Sequence, residues 1–166
     1  DMTRKGTSMN VPYVIRPARE EDIDCLVAFR RSMFESMGVH DRDALEAMES
    51  AVSRYLRGAL PSGAYRGWVA DIDGRVVGCG GLVIQQLPPG PRNIDGRQGY
   101  ILNIYTVPEW RDHGIATAIV RTLLDYLREL GVPVVTLHAT DAGRPIYERL
   151  GFAPTNEMRL SLNGKH

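Results

Sequence analysis

Val107-Pro108-Glu109-Trp110-Arg111-Asp112-His113-Gly114-Ile115-Ala116-Thr117 is where one sequence pattern gives way to another. Ahead of it, Tyr100-Ile101-Leu102-Asn103-Ile104-Tyr105-Thr106-Val107 is β-branched and aromatic and is stopped by Pro108, so it reads as a strand. Behind it, Ile115, Ile119, Leu123 and Leu127 recur every four residues, with Ala116, Val120, Leu124 and Leu130 beside them. That is an amphipathic helix from Gly114 to Leu130, closed by Gly131 with Pro133 just beyond. The first N–H groups of a helix have no partner within it, and the aligned peptide dipoles add partial positive charge, so a diphosphate fits there. Gly114 lets the backbone approach a ligand, Ala116 keeps the next turn slim, Arg111 adds a cation and His113 a donor. Taken alone, Arg-x-x-Gly-x-Ala describes an ordinary strand-to-helix turn equally well.

Working outward towards the N-terminus, Pro88 to Gly99 is rich in Pro, Gly, Asn and Asp and reads as a loop. Trp68-Val69-Ala70-Asp71 and Val76 to Ile84 flank Asp73-Gly74, a strong hairpin signal. Gly78, Gly80 and Gly81 suggest that the second of these strands is bulged. They do not open a helix, which argues against a dinucleotide fingerprint. Arg19-Glu20-Glu21-Asp22 opens a helix that Gly38 ends. Asp41 or Asp43 caps a second, which runs to Gly58. Tyr13 to Arg16 is a short first strand ended by Pro17.

Towards the C-terminus, Val134 to Ala139 is a further strand and Gly143 to Leu150 a short helix closed by Gly151. Phe152 onward, with Met158-Arg159-Leu160-Ser161-Leu162 alternating, is expected to be a last strand. The order is β-α-α-β-β-β-α-β-α-β. It defines an α/β (α+β) fold of one domain over residues 11–166. Residues 1–10 are expected to be a flexible N-terminal segment, in part a cloning remnant, since the chain does not begin with Met.

Composition narrows the function. Lys plus Arg and Asp plus Glu are 20 each, so no net field favours a polyanion, and nucleic-acid binding is not expected. No run is long enough to span a membrane, and the start lacks a signal peptide's apolar core, so a cytoplasmic location is expected. Cys25 and Cys79 are too few for a disulfide scaffold and read as reduced and buried. His40, His113, His138 and His166 are scattered, without zinc spacing, and no metal is expected. There is no Gly-x-Ser-x-Gly elbow and no Walker phosphate loop.

The sequence resembles the GCN5-related N-acetyltransferase family. Arg111-Asp112-His113-Gly114-Ile115-Ala116 matches that family's [Gln/Arg]-x-x-Gly-x-[Gly/Ala] signature, between the expected strand and helix. Thr140 to Phe152 is similar to its later motif, Asn-x-x-Ala-x-x-[Leu/Phe]-Tyr followed by Gly-Phe, with Tyr147, Gly151 and Phe152 in place. Thr140 stands where the family often has Asn, and Gly143 where it often has Ala. The resemblance covers about Ile15 to Leu162 and implies an acyl-CoA N-acyltransferase fold, a splayed, mostly antiparallel central sheet flanked by helices.

It also implies acetyl-CoA as acyl donor, CoA as product, and direct attack by an amine in a ternary complex. The pantetheine arm would pair with Tyr105, Thr106 and Val107, the Val107 N–H would serve the thioester oxygen, and Arg111, Asp112, His113, Gly114, Ile115, Ala116 and Thr117 would hold the diphosphate. Thr140, Gly143 and Arg144 would also face the cofactor, although Arg144 reads equally as solvated surface charge. Tyr147 corresponds to the family's general acid; the alternative is a packed core tyrosine. The strand before the signature offers Asn103 and Tyr105 but no carboxylate for a general base. Phe34, Glu35, Met37, Asn103 and His138 are the candidate acceptor contacts, Glu35 otherwise being a solvated helix residue and His138 a hydrogen-bonded structural one. The acceptor would be a small-molecule or peptide amine, and a homodimer is compatible with the family. A non-catalytic module that senses acyl-CoA is the alternative.

Overall fold

In the computed structural model, which describes residues 4–5 and 12–164, six strands form one sheet in sequence order. They are β1 (Arg4–Lys5), β2 (Val14–Pro17), β3 (Arg66–Ile72), β4 (Arg75–Gln86), β5 (Arg97–Thr106) and β6 (Val134–Leu137). The helices are α1 (Ile23–Ser36), α2 (Arg42–Ser62), α3 (Ile115–Glu129) and α4 (Arg144–Arg149). Every neighbouring pair is antiparallel except β5 with β6, which run parallel. Parallel strands need a long crossover, and α3 supplies it. Of the segment expected to be flexible, Arg4 and Lys5 pair with Ile15 and Val14, and the remainder lies outside the described residues.

The Asp73-Gly74 hairpin forms as expected, with both residues at positive φ (49° and 90°) and Asp71 Oδ1 accepting the Gly74 N–H at 2.7 Å. Positive φ at both turn positions matches the twist of paired strands. The irregularity signalled by the β4 glycines is real: against β3 the extra residue is Val77 of β4, between the pairs Ala70–Gly78 and Asp71–Val76, and against β5 the extra residue lies on β5. Cys79 pairs with Tyr105 and Gly81 with Leu102, so Asn103 and Ile104 oppose Gly80 alone. The glycines serve packing. A Cβ at Gly80 would lie 2.5 Å from Ile119 Cγ2 of α3, and one at Gly81 would lie 1.9 Å from the Tyr65 hydroxyl.

Two apolar clusters cover the sheet. On one face Ile115, Ile119, Leu123 and Leu127 of α3 pack on Ile15, Val77 and Ile101, joined by Tyr147 of α4. The four-residue spacing of the helix is therefore the spacing of its buried stripe. On the other face Ile23, Leu26 and Val27 of α1 and Leu56 and Ala59 of α2 meet Tyr65, Val69 and Cys79.

Four expectations change. Helix α2 passes through Gly58 to Ser62 and ends at Gly63, whose φ of +81° suits a left-handed cap. The 88–99 loop closes three residues early, because Arg97 already pairs with Gln86. Strand β6 stops at Leu137 and not at Ala139. The C-terminal strand does not form. Residues 152–161 take no regular structure, and Met158, Leu160 and Leu162 lie exposed. Their alternation is strand-like, yet they pair with no edge among the described residues.

Candidate active site

The β5–β6 ladder begins at Gln98 with Val134 and makes its last pair at Ile101 with Leu137. β5 continues to Thr106, so its second half has one edge without a strand neighbour among the described residues. This is the splayed sheet expected from the family resemblance. The bulge at Asn103, with φ of +58°, sits just where the two strands part.

The role expected for Val107 is corrected by its hydrogen bond. Its N–H donates to Val77 O at 2.9 Å, so it is used in the β4–β5 ladder. Tyr105 likewise pairs towards β4, with Cys79. Alternation then turns the N–H and C=O of Thr106 to the open edge. The Thr106 carbonyl does face away from β4, since it accepts from Arg111 Nε at 3.1 Å. The bulge set this parity, and a bulge residue cannot be located from the pattern of β5 alone.

Beyond the open edge, Pro108–Trp110 make one 3-10 turn, and the chain reverses through Asp112 (φ +64°) and Gly114 (φ +78°) into α3. Gly114 is thus needed for its conformation as well as its small size. The turn is tied by Arg111 to Thr106, by the His113 ring against Trp110 with centroids 5.0 Å apart, and by His113 Nδ1 against Arg111 O at 2.8 Å. The Arg111 guanidinium lies 5.8 Å from the Tyr105 ring centroid. No side chain caps α3, and its first backbone bond is Ala118 N–H to Gly114 O. The N–H groups of Ile115, Ala116 and Thr117 precede that bond and have no intrahelical acceptor. Ile115 is anchored in the core, which fixes their direction.

Around α4 the two departures from the family motif acquire a cause. Thr140 Oγ1 accepts the Gly143 N–H at 3.1 Å, so the hydroxyl holds the turn into α4. A Cβ at Gly143 would stand 2.9 Å from Tyr147 Cε2, so the tyrosine ring occupies the space of an alanine methyl. Tyr147 is buried with its ring 5.9 Å from that of Phe152, and desolvation pushes its phenol above the usual value. Arg144 is exposed beside Glu148 at 3.9 Å, the arrangement of a solvated surface charge. A cleft of about 400 Å³ is bounded by β6, α4 and residues 152–159; Tyr147 borders it, and no residue of the Arg111–Thr117 turn does.

On the α1 face, Asn103 is the junction. Arg30 Nη1 donates to its Oδ1, and its Nδ2 donates to the Tyr65 hydroxyl at 2.9 Å. The Arg30 guanidinium also lies 5.0 Å from the Phe34 ring centroid. His138 Nδ1 and the Tyr100 hydroxyl are 2.8 Å apart, linking the end of β6 to β5. Asn103 thus lies at the parting of β5 and β6, Phe34 is linked to it through Arg30, and His138 follows the end of β6. Glu35 instead pairs with Arg31 at 3.5 Å, and Arg31 with Glu49 of α2 at 2.5 Å, so Glu35 belongs to the α1–α2 contact. Met37 is exposed at the C-terminal end of α1.

Arg30, Tyr65 and Tyr100 belong to no motif in the sequence. For Arg30 a signal existed: its neighbours at i−4, i−3, i+3 and i+4 are Leu26, Val27, Met33 and Phe34, whereas Arg31 has Glu35 four residues on. An arginine on an apolar helix stripe is a candidate for a buried role.

A splayed sheet whose open edge runs into an uncapped helix start is the architecture of an acyl-CoA N-acyltransferase fold. The chain belongs to the acetyltransferase (GNAT) family, whose profile matches residues 29–152. It is 34% identical over 91 residues to glucosamine 6-phosphate N-acetyltransferase of Trypanosoma brucei brucei, a match spanning 54% of this chain and 59% of that protein. The chain thus spans little more than half of that relative. The crystal structure of a GCN5-related N-acetyltransferase from Ralstonia eutropha JMP134 superposes with a TM-score of 0.83 at 34% identity, over 90% of this chain and 98% of that one. A predicted acetyltransferase with acetyl-CoA from Clostridium acetobutylicum gives 0.82 at 30% identity, over 92% and 97%. Among the described residues, no helix is long and apolar enough to cross a membrane.

Proposed function

We propose that residues 11–166 form one N-acetyltransferase domain that transfers the acetyl group of acetyl-CoA to an amine by direct attack in a ternary complex. The observation that carries this reading is the continuity of the open β5 edge with the uncapped start of α3. Thr106 offers backbone groups to an amide-bearing arm, and the N–H groups from Gly114 to Thr117 with the Arg111 guanidinium receive a diphosphate. These two ligand chemistries, amide and diphosphate in one molecule, are those of a CoA thioester.

Tyr147 is the proton donor to the departing thiolate. An ordinary phenol has a pKa near 10 and a thiol near 8.5, so the transfer is uphill by about 2 kcal/mol or more once burial is added. A thiolate leaves readily by itself, so Tyr147 assists the step without being indispensable. His138 serves as the base in the tautomer whose Nδ1–H donates to the Tyr100 oxygen, which leaves Nε2 to accept a proton from the amine. Cys25 and Cys79 lie outside both motifs, so no acyl-enzyme is involved. The trypanosomal relative acts on an amino-sugar phosphate by its name, but the acceptor here is set by this chain's own α1 face.

Thermal unfolding in the presence of acetyl-CoA, CoA, ATP or NAD tests the reading. A ligand at about 100 times its dissociation constant adds roughly 2.7 kcal/mol. Stabilisation by acetyl-CoA and CoA alone, followed by thiol release with an amine panel, is expected. Binding without thiol release would identify a sensing module. No response to either CoA species would remove the acyltransferase reading altogether.

A further inference from the structure

The half-buried arginines among the described residues show two kinds of environment. Arg16 is held between Asp22 at 2.8 Å and Asp71 at 2.9 Å, and Arg31 between Glu49 at 2.5 Å and Glu35 at 3.5 Å. Arg30 is half-buried like them, yet its contacts are an amide oxygen of Asn103 and the face of Phe34, both uncharged. Among the described residues no carboxylate stands within ion-pair distance of it. A guanidinium carries five donors in a planar fork, and Asn103 is the single hydrogen-bond acceptor it meets among the described residues.

Its position is fixed from beneath. Tyr65 is 2% exposed, Asn103 Nδ2 binds its hydroxyl, and Asn103 Oδ1 receives Arg30. Asn103 adopts a left-handed backbone to do this, a conformation costly for most residues and concentrated at functional sites. The junction sits immediately past Ile101–Leu137, where β5 and β6 part. A positive charge is therefore held beside the gap through which, in the reading above, the acetyl group is presented.

A simple alkylamine arrives as a cation, and a fixed guanidinium repels it with no carboxylate nearby to offset that repulsion. An acceptor with its own negative group reverses the sign. We propose that Arg30 is a specificity-determining residue that binds an anionic group, a carboxylate or a phosphate, carried by the acceptor amine. The inference rests on the acetyltransferase reading and adds the class of acceptor to it. Tyr65 and Asn103 are positioning residues for Arg30.

The test uses matched acceptors: an α-amino acid with its α-amide, and an amino alcohol with its phosphate monoester. Thiol release gives kcat and KM for each with the wild type, Arg30→Gln and Arg30→Lys. The wild type is expected to favour at least one anionic member over its uncharged partner by about tenfold or more in kcat/KM. Which pair shows the preference distinguishes carboxylate from phosphate. Arg30→Gln should erase it, mainly through KM, and Arg30→Lys should retain part, keeping the charge without the fork. Equal use of uncharged partners, an undiminished preference in Arg30→Gln, or no turnover of any anionic amine would each overturn the proposal. Thermal stabilisation by acetyl-CoA, measured on the same three proteins, separates the two levels. Unchanged stabilisation with a lost preference supports Arg30. Absent stabilisation in the wild type removes the acyltransferase reading, and this inference with it.

Discussion

The two faces of the sheet are built by different means. On the α3 face the candidate cofactor cradle is backbone: an open strand edge, two residues at positive φ and an uncapped helix start, all within fifteen consecutive positions. On the α1 face the candidate acceptor site is side chains brought together from afar, with Arg30, Tyr65 and Asn103 contributed by three separate stretches. A backbone site tolerates substitution, because any sequence with the right turns builds it. Side-chain sites change with single substitutions.

Substitutions can break that division or sharpen it. Leu123 is fully buried where α3 meets the sheet, so Leu123→Ala should cost about 3 kcal/mol, seen as a lower denaturant midpoint at unchanged m-value. Below the unfolding range, acceptor KM should not move; a change there would mean that the two faces are coupled through α3. Gly114→Val adds left-handed strain and places methyl groups against the cradle. It should raise KM for acetyl-CoA about thirtyfold, the loss of roughly 2 kcal/mol of backbone contacts, with acceptor preference intact. Tyr147→Phe should lower kcat about tenfold with both KM values kept; an unaltered kcat would make Tyr147 a packing residue against Gly143 and Phe152.

The smallest effect concerns acid. Burial works to raise the Asp22 carboxyl, but hydrogen bonds from Arg16 and from the Arg19 N–H outweigh it and hold the pKa below its usual value. The stability it contributes is complete above the unfolded value near 4 and is lost as pH falls through the folded one. Asp22→Asn should therefore flatten the decline in melting temperature below about pH 4 and leave acetyl-CoA kinetics at neutral pH unchanged. An equally steep decline would assign the acid sensitivity elsewhere.

The same division explains what the sequence discloses. The stripe Ile115, Ile119, Leu123, Leu127 and the turn residues Asp73, Gly74 and Gly114 are local, and they form what their spacing predicts. Val107 is different: whether its N–H faces β4 or the open edge depends on an extra residue at Asn103, a register fact. Met158, Leu160 and Leu162 alternate like a strand and are exposed, because alternation records which surfaces a segment suits and not whether an edge is within reach. Arg30 was hidden for the converse reason, since its meaning lies in Asn103, 73 positions away.

Burial at the parting of β5 and β6 has a practical side. Cys79 is fully buried, its Sγ donates to Asn103 O at 3.2 Å, and desolvation pushes its thiol well up; Cys25 is half-buried and raised as well. Only the thiolate attacks an electrophilic dye. In a test of the proposed reaction, colour developed by a thiol reagent on the folded protein would therefore count released CoA with little background from the polypeptide. The same reagent in a heating ramp becomes a clock for unfolding, because Cys79 reacts when the strand beneath Arg30 comes apart.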